Sequence, residues 1–505
     1  MKSLLNKIKA NPFFETLYHS KNYLISNLAV KGLGIISLPV MTRLLLPSDY
    51  GLLSVFGSYN TILVSILTLN CYVALGRYYY EEQNDFKEFF GTSIVFVLSL
   101  LSIFFILFMI FQNRLSSLLN LPVHLIIYLV PFIMFYVFSS WYEQIYVPQQ
   151  KSRQIAVRNI TSSCAGFALA VLFILLLNKD KYMGQIYAMT IMGICFSFYY
   201  FYVLMPYIKL SFKLKALKYT LSYSLPLIPY AICSVGLAQA DRVIINKYCG
   251  SADVGLFSIA YSIGALLTLV LASLATAWTP AYFKHMKDKN YVQLDSDIVL
   301  IMKIIMACAF ALILFGREIG ILLTKSNFQS ALFTVPVIVV GLILYSYGTF
   351  YSWHIQYAKK NIYMTPIVVV AGAVSILLNM IFIPRYGYVA APFVSCVSYF
   401  TMLLIAIFIS KKILKLHITP ILRVSKPLLA MIPFVFLYYI LMLMNLSIVV
   451  NVLVKMLLLI LFLLIIFYSY VKKGLRDQSW QYILGMSHRR KDGHDLVDVG
   501  TGGQR

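Results

Sequence analysis

LAQADRVIINKYCGSADVGLFSIAY, residues 237–261, places an adjacent acid and base, Asp241 and Arg242, inside an apolar run that is helical in character. A short polar turn follows, and then the motif D-x-G-L-x-S at residues 253–258. Charged side chains inside a membrane-grade segment are costly and mark functional sites by default. The stretch therefore predicts a membrane span that carries a functional site.

The same motif occurs once more, at residues 49–54, which lie 204 residues upstream. At that offset Arg43 falls opposite Lys247. A second match joins GQIYA at residues 184–188 with GYVAA at 387–391, at an offset of 203. The agreement between the two offsets predicts that the chain consists of two related halves.

The composition is that of a membrane protein. Of 505 residues, 60% are hydrophobic and 12% are charged, and the mean hydropathy is +0.81; soluble proteins carry about 25% charged residues. Most apolar runs reach ~20 residues, the length of a transmembrane helix, which excludes a soluble protein with several cores. The predicted spans are 22–46, 51–76, 90–112, 123–147, 155–177, 183–205, 222–247, 253–282, 298–323, 331–356, 361–383, 387–410, 426–445 and 447–471.

The predicted fold class is all-α: a polytopic membrane protein with 14 transmembrane helices, in which two six-helix lobes are related by a parallel repeat and two C-terminal helices follow. Six spans per repeat is an even number, so both copies insert in the same direction, as in many alternating-access transporters. The predicted segments are a cytoplasmic N-terminal segment (1–21), the first lobe (22–205), a basic cytoplasmic linker (206–221), the second lobe (222–410), helices 13 and 14 (411–471) and a disordered cytoplasmic tail (472–505).

The positions of the basic residues predict the orientation. With a cytoplasmic N-terminus, 30 of the 42 Lys and Arg residues fall on the inner side and nine on the outer side, as the positive-inside rule requires. Both termini are therefore expected in the cytoplasm. The first 20 residues have no apolar core or cleavage site of a signal peptide. Topology thus explains the net charge of +24, and no nucleic-acid partner is expected.

The sequence offers no site for covalent chemistry. The loops are too short for an external catalytic domain, and no Walker-type phosphate loop is present, so ATP hydrolysis is not expected. The seven cysteines show no C-x-x-C spacing and predict neither disulfides nor a metal site. The expectation is a protein that is not an enzyme and has no cofactor, with H⁺ or Na⁺ as a candidate coupling ion.

Polar residues in the first span point to a cavity. Asn27, Lys31, Gly34 and Thr42 fall within an ~80° stripe of one helix. Lys31 lies roughly 15 Å from the inner end of the span, too deep for easy snorkelling. The stripe predicts a water-filled cavity in which Lys31 attracts an anionic group. The alternative is a lysine paired with a carboxylate that holds helices together.

Three prolines are candidate hinges. Pro226 and Pro229 interrupt the seventh span, and Pro39 lies in the first; each removes a backbone hydrogen bond. A static kink filled by neighbouring helices is the alternative. Asp241 is expected to pair with Lys31 or Arg242, or to carry a coupling proton, and the sequence does not separate these roles.

The run RYYYE, from Arg77 to Glu81, is a candidate inner gate. An interfacial aromatic belt with solvated charges explains it equally well.

An ordered set of short motifs runs through the first twelve predicted spans. They are TRLLLPSDYG at residues 42–51, RYYYE at 77–81, PLIP at 226–229, DR at 241–242 continuing to GLFS at 255–258, and NMIFIPRYG at 379–387. With these motifs the chain resembles the bacterial flippases of polysaccharide repeat units in the multidrug/oligosaccharidyl-lipid/polysaccharide exporter superfamily.

The resemblance implies a protein of the bacterial inner (cytoplasmic) membrane. It would flip an undecaprenyl-pyrophosphate-linked oligosaccharide, an O-antigen or capsule repeat unit, from the cytoplasmic to the outer leaflet. Membrane lipids, a polysaccharide polymerase and a chain-length regulator would be its partners. A cavity between the lobes would admit the pyrophosphate and sugars. Its expected lining includes Asn27, Lys31, Arg43, Arg242 and Lys247, and this positive charge suits a pyrophosphate.

Three alternatives remain open. A multidrug exporter driven by proton or sodium antiport would need a cavity rich in carboxylates, and Asp241 is the single acid in the matched region. A flippase for the peptidoglycan lipid precursor would differ only in its headgroup. A membrane-embedded sugar polymerase would need a large outer loop.

Overall fold

The computed structural model describes residues 12–81, 85–442 and 447–474. Every regular element within these ranges is helical. Residues 1–11 of the predicted N-terminal segment, and residues 475–505 of the tail predicted to be disordered, lie outside the described residues.

Nineteen α-helices follow one another within the described ranges. They are α1 (Pro12–Leu44), α2 (Pro47–Leu67), α3 (Cys71–Glu81), α4 (Phe86–Ile110), α5 (Gln112–Leu119), α6 (Val123–Tyr146), α7 (Ser152–Leu176), α8 (Tyr182–Leu204), α9 (Leu214–Ser224), α10 (Ile228–Tyr248), α11 (Ser251–Gly264), α12 (Leu266–Lys287), α13 (Tyr291–Leu323), α14 (Val335–Tyr357), α15 (Met364–Tyr386), α16 (Ala390–Phe408), α17 (Ile421–Val424), α18 (Lys426–Met442) and α19 (Ile448–Gly474).

These helices confirm the predicted fold class of an all-α polytopic membrane protein. Twelve stretches of the described residues are long and apolar enough to cross a membrane. The stretch Asn361–Ile413 contains both α15 and α16, and Lys426–Leu441 is a shorter apolar helix. The count of fourteen spans stays a prediction.

Two predicted spans are broken. The second breaks between α2 and α3, where Leu69 and Asn70 both have positive φ values, of 51° and 52°. The eighth breaks at Ala265, between α11 and α12. In addition, α9 begins at Leu214, inside the predicted linker 206–221.

The chain separates into two compact units, Met1–Ser425 and Lys426–Arg505. In the second unit, α18 packs against α19, with the rings of Phe434 and Phe462 edge to face. The following sections concern the first unit. We call α1–α8 its N-terminal half and α10–α16 its C-terminal half; the assignment of these halves as two lobes stays a prediction.

The repeated motif forms the start of a helix in each half. α1 ends at Leu44 and α2 begins at Pro47; 204 residues later, α10 ends at Tyr248 and α11 begins at Ser251. In the first copy the Leu46 amide donates to Asp49 Oδ2 at 3.2 Å. This carboxylate caps the helix and lies where the helix dipole favours negative charge.

The glycine of the motif allows α2 and α11 to cross with their backbones in contact. A Cβ on Gly51 would collide with the Ser251 carbonyl oxygen and would lie 2.9 Å from the Gly255 nitrogen. A Cβ on Gly255 would likewise collide with the Pro47 carbonyl oxygen. Because the same residue of each copy faces the other copy, the repeat meets itself at this crossing.

The crossing lies at one end of the molecule, where further contacts join the two halves. Val55 and Leu125 of the N-terminal half share a buried core with Ile244 and Phe257 of the C-terminal half. Nearby, Asn246 Nδ2 donates to the Asn120 carbonyl oxygen at 2.8 Å. We call this end, formed by residues 42–58, 120–129 and 240–257, the closed end.

Gly51→Ala is expected to open the closed end, because the new Cβ has no space beside Ser251. The measurement is cross-linking by a short bifunctional maleimide between cysteines introduced at Asn120 and Lys247, where the Asn120 amide lies 3.5 Å from the Lys247 carbonyl oxygen. We expect the yield to fall several-fold in the variant.

Gly57→Ala in the same helix is the matched control, because a Cβ there would meet nothing within 4 Å. Its cross-linking should equal that of the parent. An equal yield in Gly51→Ala and the parent would contradict the backbone crossing.

Candidate substrate cavity

A cavity of about 580 Å³ lies between α1 and the C-terminal half. We call it the Lys31 cavity. It extends from Ala238 and Tyr261, near the closed end, to Gln356 and Met364, which flank the 358–363 loop. Its walls come from α1, α10, α11, α12, α14, α15 and α16, so residues far apart in the sequence meet around one space.

Lys31 is the one charged side chain among the described residues that line this cavity. It is exposed, and it forms no ion pair or hydrogen bond with any described residue. Intramembrane cations are costly and usually face water-filled cavities or partners. The geometry therefore favours the predicted cavity over the alternative of a lysine paired with a carboxylate.

The rest of the predicted stripe does not follow Lys31 into the cavity. Asn27 is exposed one turn away, outside the cavity lining. Thr42 is fully buried at the closed end, where its hydroxyl lies 3.4 Å from the Leu323 carbonyl oxygen. Thr42 therefore joins the two halves and does not face a ligand.

Two of the predicted basic residues lie at the closed end. Arg43 is exposed and donates to the Pro39 carbonyl oxygen of its own helix at 3.0 Å. Lys247 is exposed, with its ammonium 5.6 Å from the Tyr248 ring centroid. Neither side chain is part of the described cavity lining.

Arg242 lies directly behind the cavity wall. Its guanidinium is 4.9 Å from the ring centroid of Tyr261, which lines the cavity. It also donates to Ser258 Oγ at 3.3 Å and to Gln239 Oε1 at 3.2 Å. Gln239 Oε1 in turn accepts from Ser58 Oγ of the N-terminal half at 3.0 Å. Arg242 thus adds positive charge near the cavity while it stabilises the junction of the halves.

Asp241 is buried, with 3% of its surface exposed, and faces away from the cavity. Its Oδ1 accepts from Asn379 Nδ2 at 2.5 Å and its Oδ2 from Ser395 Oγ at 3.0 Å. Neither Lys31 nor Arg242 forms a salt bridge with it in the described chain. Asp241 therefore ties α10 to α15 and α16 through neutral donors.

Sequence reasoning missed these partners as site residues. Asn379 belongs to a family motif, and an amide inside an apolar run was a signal of its own. Its Oδ1 is buried without a hydrogen-bond partner among the described residues. One acceptor therefore remains unused beside the Asp241 carboxylate.

The predicted proline hinge in the seventh span coincides with a break in the helix. A 3₁₀ turn at Leu225–Leu227 contains Pro226 and separates α9 from α10, and Pro229 lies in the first turn of α10. Just beyond, Tyr230 lines the cavity. In contrast, α1 continues without interruption through Pro39. The hinge roles stay predictions.

Arg77 and Glu81 attach α9 to the N-terminal half. Arg77 Nε lies 2.6 Å from Glu81 Oε1, and Glu81 Oε2 accepts from the Tyr219 hydroxyl of α9 at 2.5 Å. The Tyr219 hydrogen bond and then the Arg77 guanidinium lower the pKa of Glu81 below its usual value. Glu88 of α4 also bridges Lys209 and Lys213, next to the start of α9. These contacts lie at the end of the molecule opposite the closed end.

Comparisons with known proteins agree with this architecture. Residues 22–286 match the family model described as polysaccharide biosynthesis protein. A protein of the Lsg locus of Haemophilus influenzae is 23% identical over 397 residues, which are 75% of this chain and 96% of that protein.

Solved structures share the fold. The lipid II flippase MurJ in an inward closed conformation is 15% identical, with a TM-score of 0.70 over 88% of this chain and 99% of MurJ. A multidrug resistance transporter of the MATE family, in an outward-facing conformation, is 16% identical, with a TM-score of 0.52 over 79% of this chain and 97% of its own. At these identities the likeness concerns the fold alone.

Ser395→Ala is expected to destabilise the protein, because it removes one of the two hydrogen bonds to the buried Asp241 carboxylate. A hydrogen bond to a charged group contributes about 1.5–3 kcal/mol. The apparent Tm of the purified protein in detergent should fall measurably.

Ser398→Ala, one turn along α16, is the control, because its buried hydroxyl bonds only to the Val394 carbonyl oxygen of its own helix. Its Tm should change much less. Equal shifts in the two variants would show that Asp241 does not depend on Ser395.

Proposed function

Because this chain belongs to the polysaccharide biosynthesis protein family, we propose that it flips an undecaprenyl-pyrophosphate-linked oligosaccharide across the bacterial cytoplasmic membrane. The glycan would be an O-antigen or capsule repeat unit. Transport would proceed by alternating access between the two halves, without ATP hydrolysis. A polysaccharide polymerase and a chain-length regulator would use the product.

One observation carries the proposal: Lys31 is unpaired and faces a cavity of about 580 Å³ between the halves. A single ammonium in a low-dielectric space attracts anions strongly. A pyrophosphate provides the matching charge, and the apolar walls of the cavity leave the remaining recognition to the glycan. Arg242, behind Tyr261, adds to the positive potential without occupying the space.

In this proposal the closed end faces the outer side of the membrane. The excess of basic residues at the opposite end supports this orientation, with both termini in the cytoplasm. The headgroup would then enter from the end that carries the 358–363 loop and Gln356. The prenyl chain would remain in the lipid.

Asp241 is the proposed coupling residue. Its carboxylate is buried among neutral donors, and Asn379 Oδ1 beside it has no partner among the described residues. A proton on Asp241 could be donated to Asn379 Oδ1 after a flip of the amide, since amide orientations are interchangeable in such networks. Alternatively, the same oxygens are hard ligands of the kind that Na⁺ uses. H⁺ and Na⁺ are therefore the two candidate coupling ions.

A multidrug exporter is the alternative function. A cationic substrate would be favoured by carboxylates in the cavity, whereas the described lining contains Lys31 and no acid. The charge of the cavity therefore favours an anionic lipid headgroup.

Lys31→Ala is expected to abolish surface polysaccharide and to accumulate the lipid-linked oligosaccharide in the inner leaflet, while Lys31→Arg keeps part of the activity because it keeps the charge. Both quantities are measured in a strain that depends on this gene, at matched protein levels. Arg43→Ala, a basic residue outside the cavity lining, should retain most activity. Full polysaccharide in Lys31→Ala would refute the role of Lys31.

Asp241→Asn is expected to remove the dependence of transport on an imposed ion gradient, because an amide binds neither a proton nor Na⁺ strongly. Transport into proteoliposomes is measured with a pH gradient, a Na⁺ gradient or neither. Stimulation by a gradient that persists in Asp241→Asn would assign coupling to another group.

A further inference from the structure

A second cavity, of about 410 Å³, lies between α2, α3 and α6 of the N-terminal half and the first turns of α10. We call it the Asn70 chamber. It shares two lining residues, Tyr230 and Ser234, with the Lys31 cavity. The two spaces therefore adjoin at α10, immediately after the proline break.

The chamber walls are polar but uncharged. The described lining has no Asp, Glu, Lys or Arg. Its polar groups are amides and hydroxyls, which both donate and accept hydrogen bonds; they belong to Asn60, Thr61, Ser65, Asn70, Tyr72 and Tyr136. Polar groups at membrane depth usually mark a substrate pathway. Walls of this kind suit neither an acyl chain nor an ion, but they suit a ligand with many neutral hydroxyl groups.

Asn70 is the residue that most requires a ligand. Only 3% of its surface is exposed, and its side-chain amide forms no hydrogen bond with any described residue. A buried amide without a partner is unfavourable. In addition, Leu69 and Asn70 hold consecutive left-handed conformations, with φ values of 51° and 52°. Such strain in non-glycine residues clusters at ligand sites.

Aromatic rings complete the chamber. Tyr72 and Tyr136 meet edge to face, with their centroids 5.9 Å apart. Tyr136 is 47% exposed. An exposed tyrosine face beside amide groups offers an apolar surface for the C–H face of a sugar ring and a hydroxyl for its edge. The volume lies within the usual range of small-ligand sites, roughly 300–1,000 Å³.

We propose that the Asn70 chamber binds the uncharged sugar residues nearest the pyrophosphate, while the pyrophosphate lies at Lys31. This assignment rests on the proposed function and adds to it the site at which the glycan is read. Because the two cavities share Tyr230 and Ser234, one headgroup can occupy both. Sites built from neutral hydrogen-bonding groups discriminate strongly against ligands that leave those groups unpaired, so the chamber selects among glycans.

The test compares two defined probes bound to the purified protein in detergent. One is undecaprenyl pyrophosphate, which has no glycan. The other is the undecaprenyl-pyrophosphate-linked oligosaccharide extracted from a producing strain that lacks this gene. The parent protein should bind the glycosylated probe about tenfold more tightly. Asn70→Ala should weaken that binding about five- to tenfold and leave the affinity for the bare probe unchanged.

Lys31→Ala should weaken the binding of both probes, which separates the two subsites. Thr61→Val serves as a second chamber variant in case Asn70→Ala does not fold, because Thr61 is exposed and bonds only to the Gly57 carbonyl oxygen of its own helix. Asn113→Ala, an exposed asparagine outside both cavities, should bind both probes as the parent does.

The outcomes distinguish the two levels of the proposal. If the parent binds neither probe, the proposed function fails. If the parent binds both probes equally, or if Asn70→Ala and Thr61→Val weaken both probes equally, the function stands and the sugar site is overturned.

Discussion

The backbone crossing of α2 and α11 at Gly51 and Gly255 is the constraint on which the arrangement of the two halves depends. Because no side chain separates the helices there, the halves are held together at the closed end. Away from that end, α1 and the C-terminal half leave the space that becomes the Lys31 cavity. A motif that looks like a simple helix start thus has two separate tasks: the acid caps the helix, and the glycine permits contact with the other copy.

The seventh span connects this fixed end to the cavities. Its first part, α9, is attached to the N-terminal half through Glu81, whereas α10 is attached to the C-terminal half through Asp241. Between the attachments lies the 3₁₀ turn Leu225–Leu227, in which Pro226 lacks an amide proton. Relative movement of the halves would therefore concentrate at this turn. Tyr230, the neighbour of both cavities, follows it directly, so an occupant is positioned to influence the turn.

The sequence predicted those features that depend on local pattern. The offset of 204 residues placed equivalent helix ends correctly, and an ordered set of weak motifs identified the family, as the match over residues 22–286 confirms. It did not predict the breaks at Leu69 and Ala265, because apolar residues continue through both. The partners of Asp241 lie 138 and 154 residues away. Hydrophobic periodicity carries no information about such long-range pairs.

The structure treats its two intramembrane charges differently. Asp241 is hydrogen-bonded on both oxygens, whereas Lys31 has no partner among the described residues. Enclosing an unpaired ammonium in a space cut off from water is far more costly than enclosing one paired with an anion. Closure of the cavity around Lys31 is therefore disfavoured while the cavity is empty, and the pyrophosphate of the proposed substrate would remove that cost. A ligand shifts a conformational equilibrium only by its differential affinity for the two states, and Lys31 supplies such a difference.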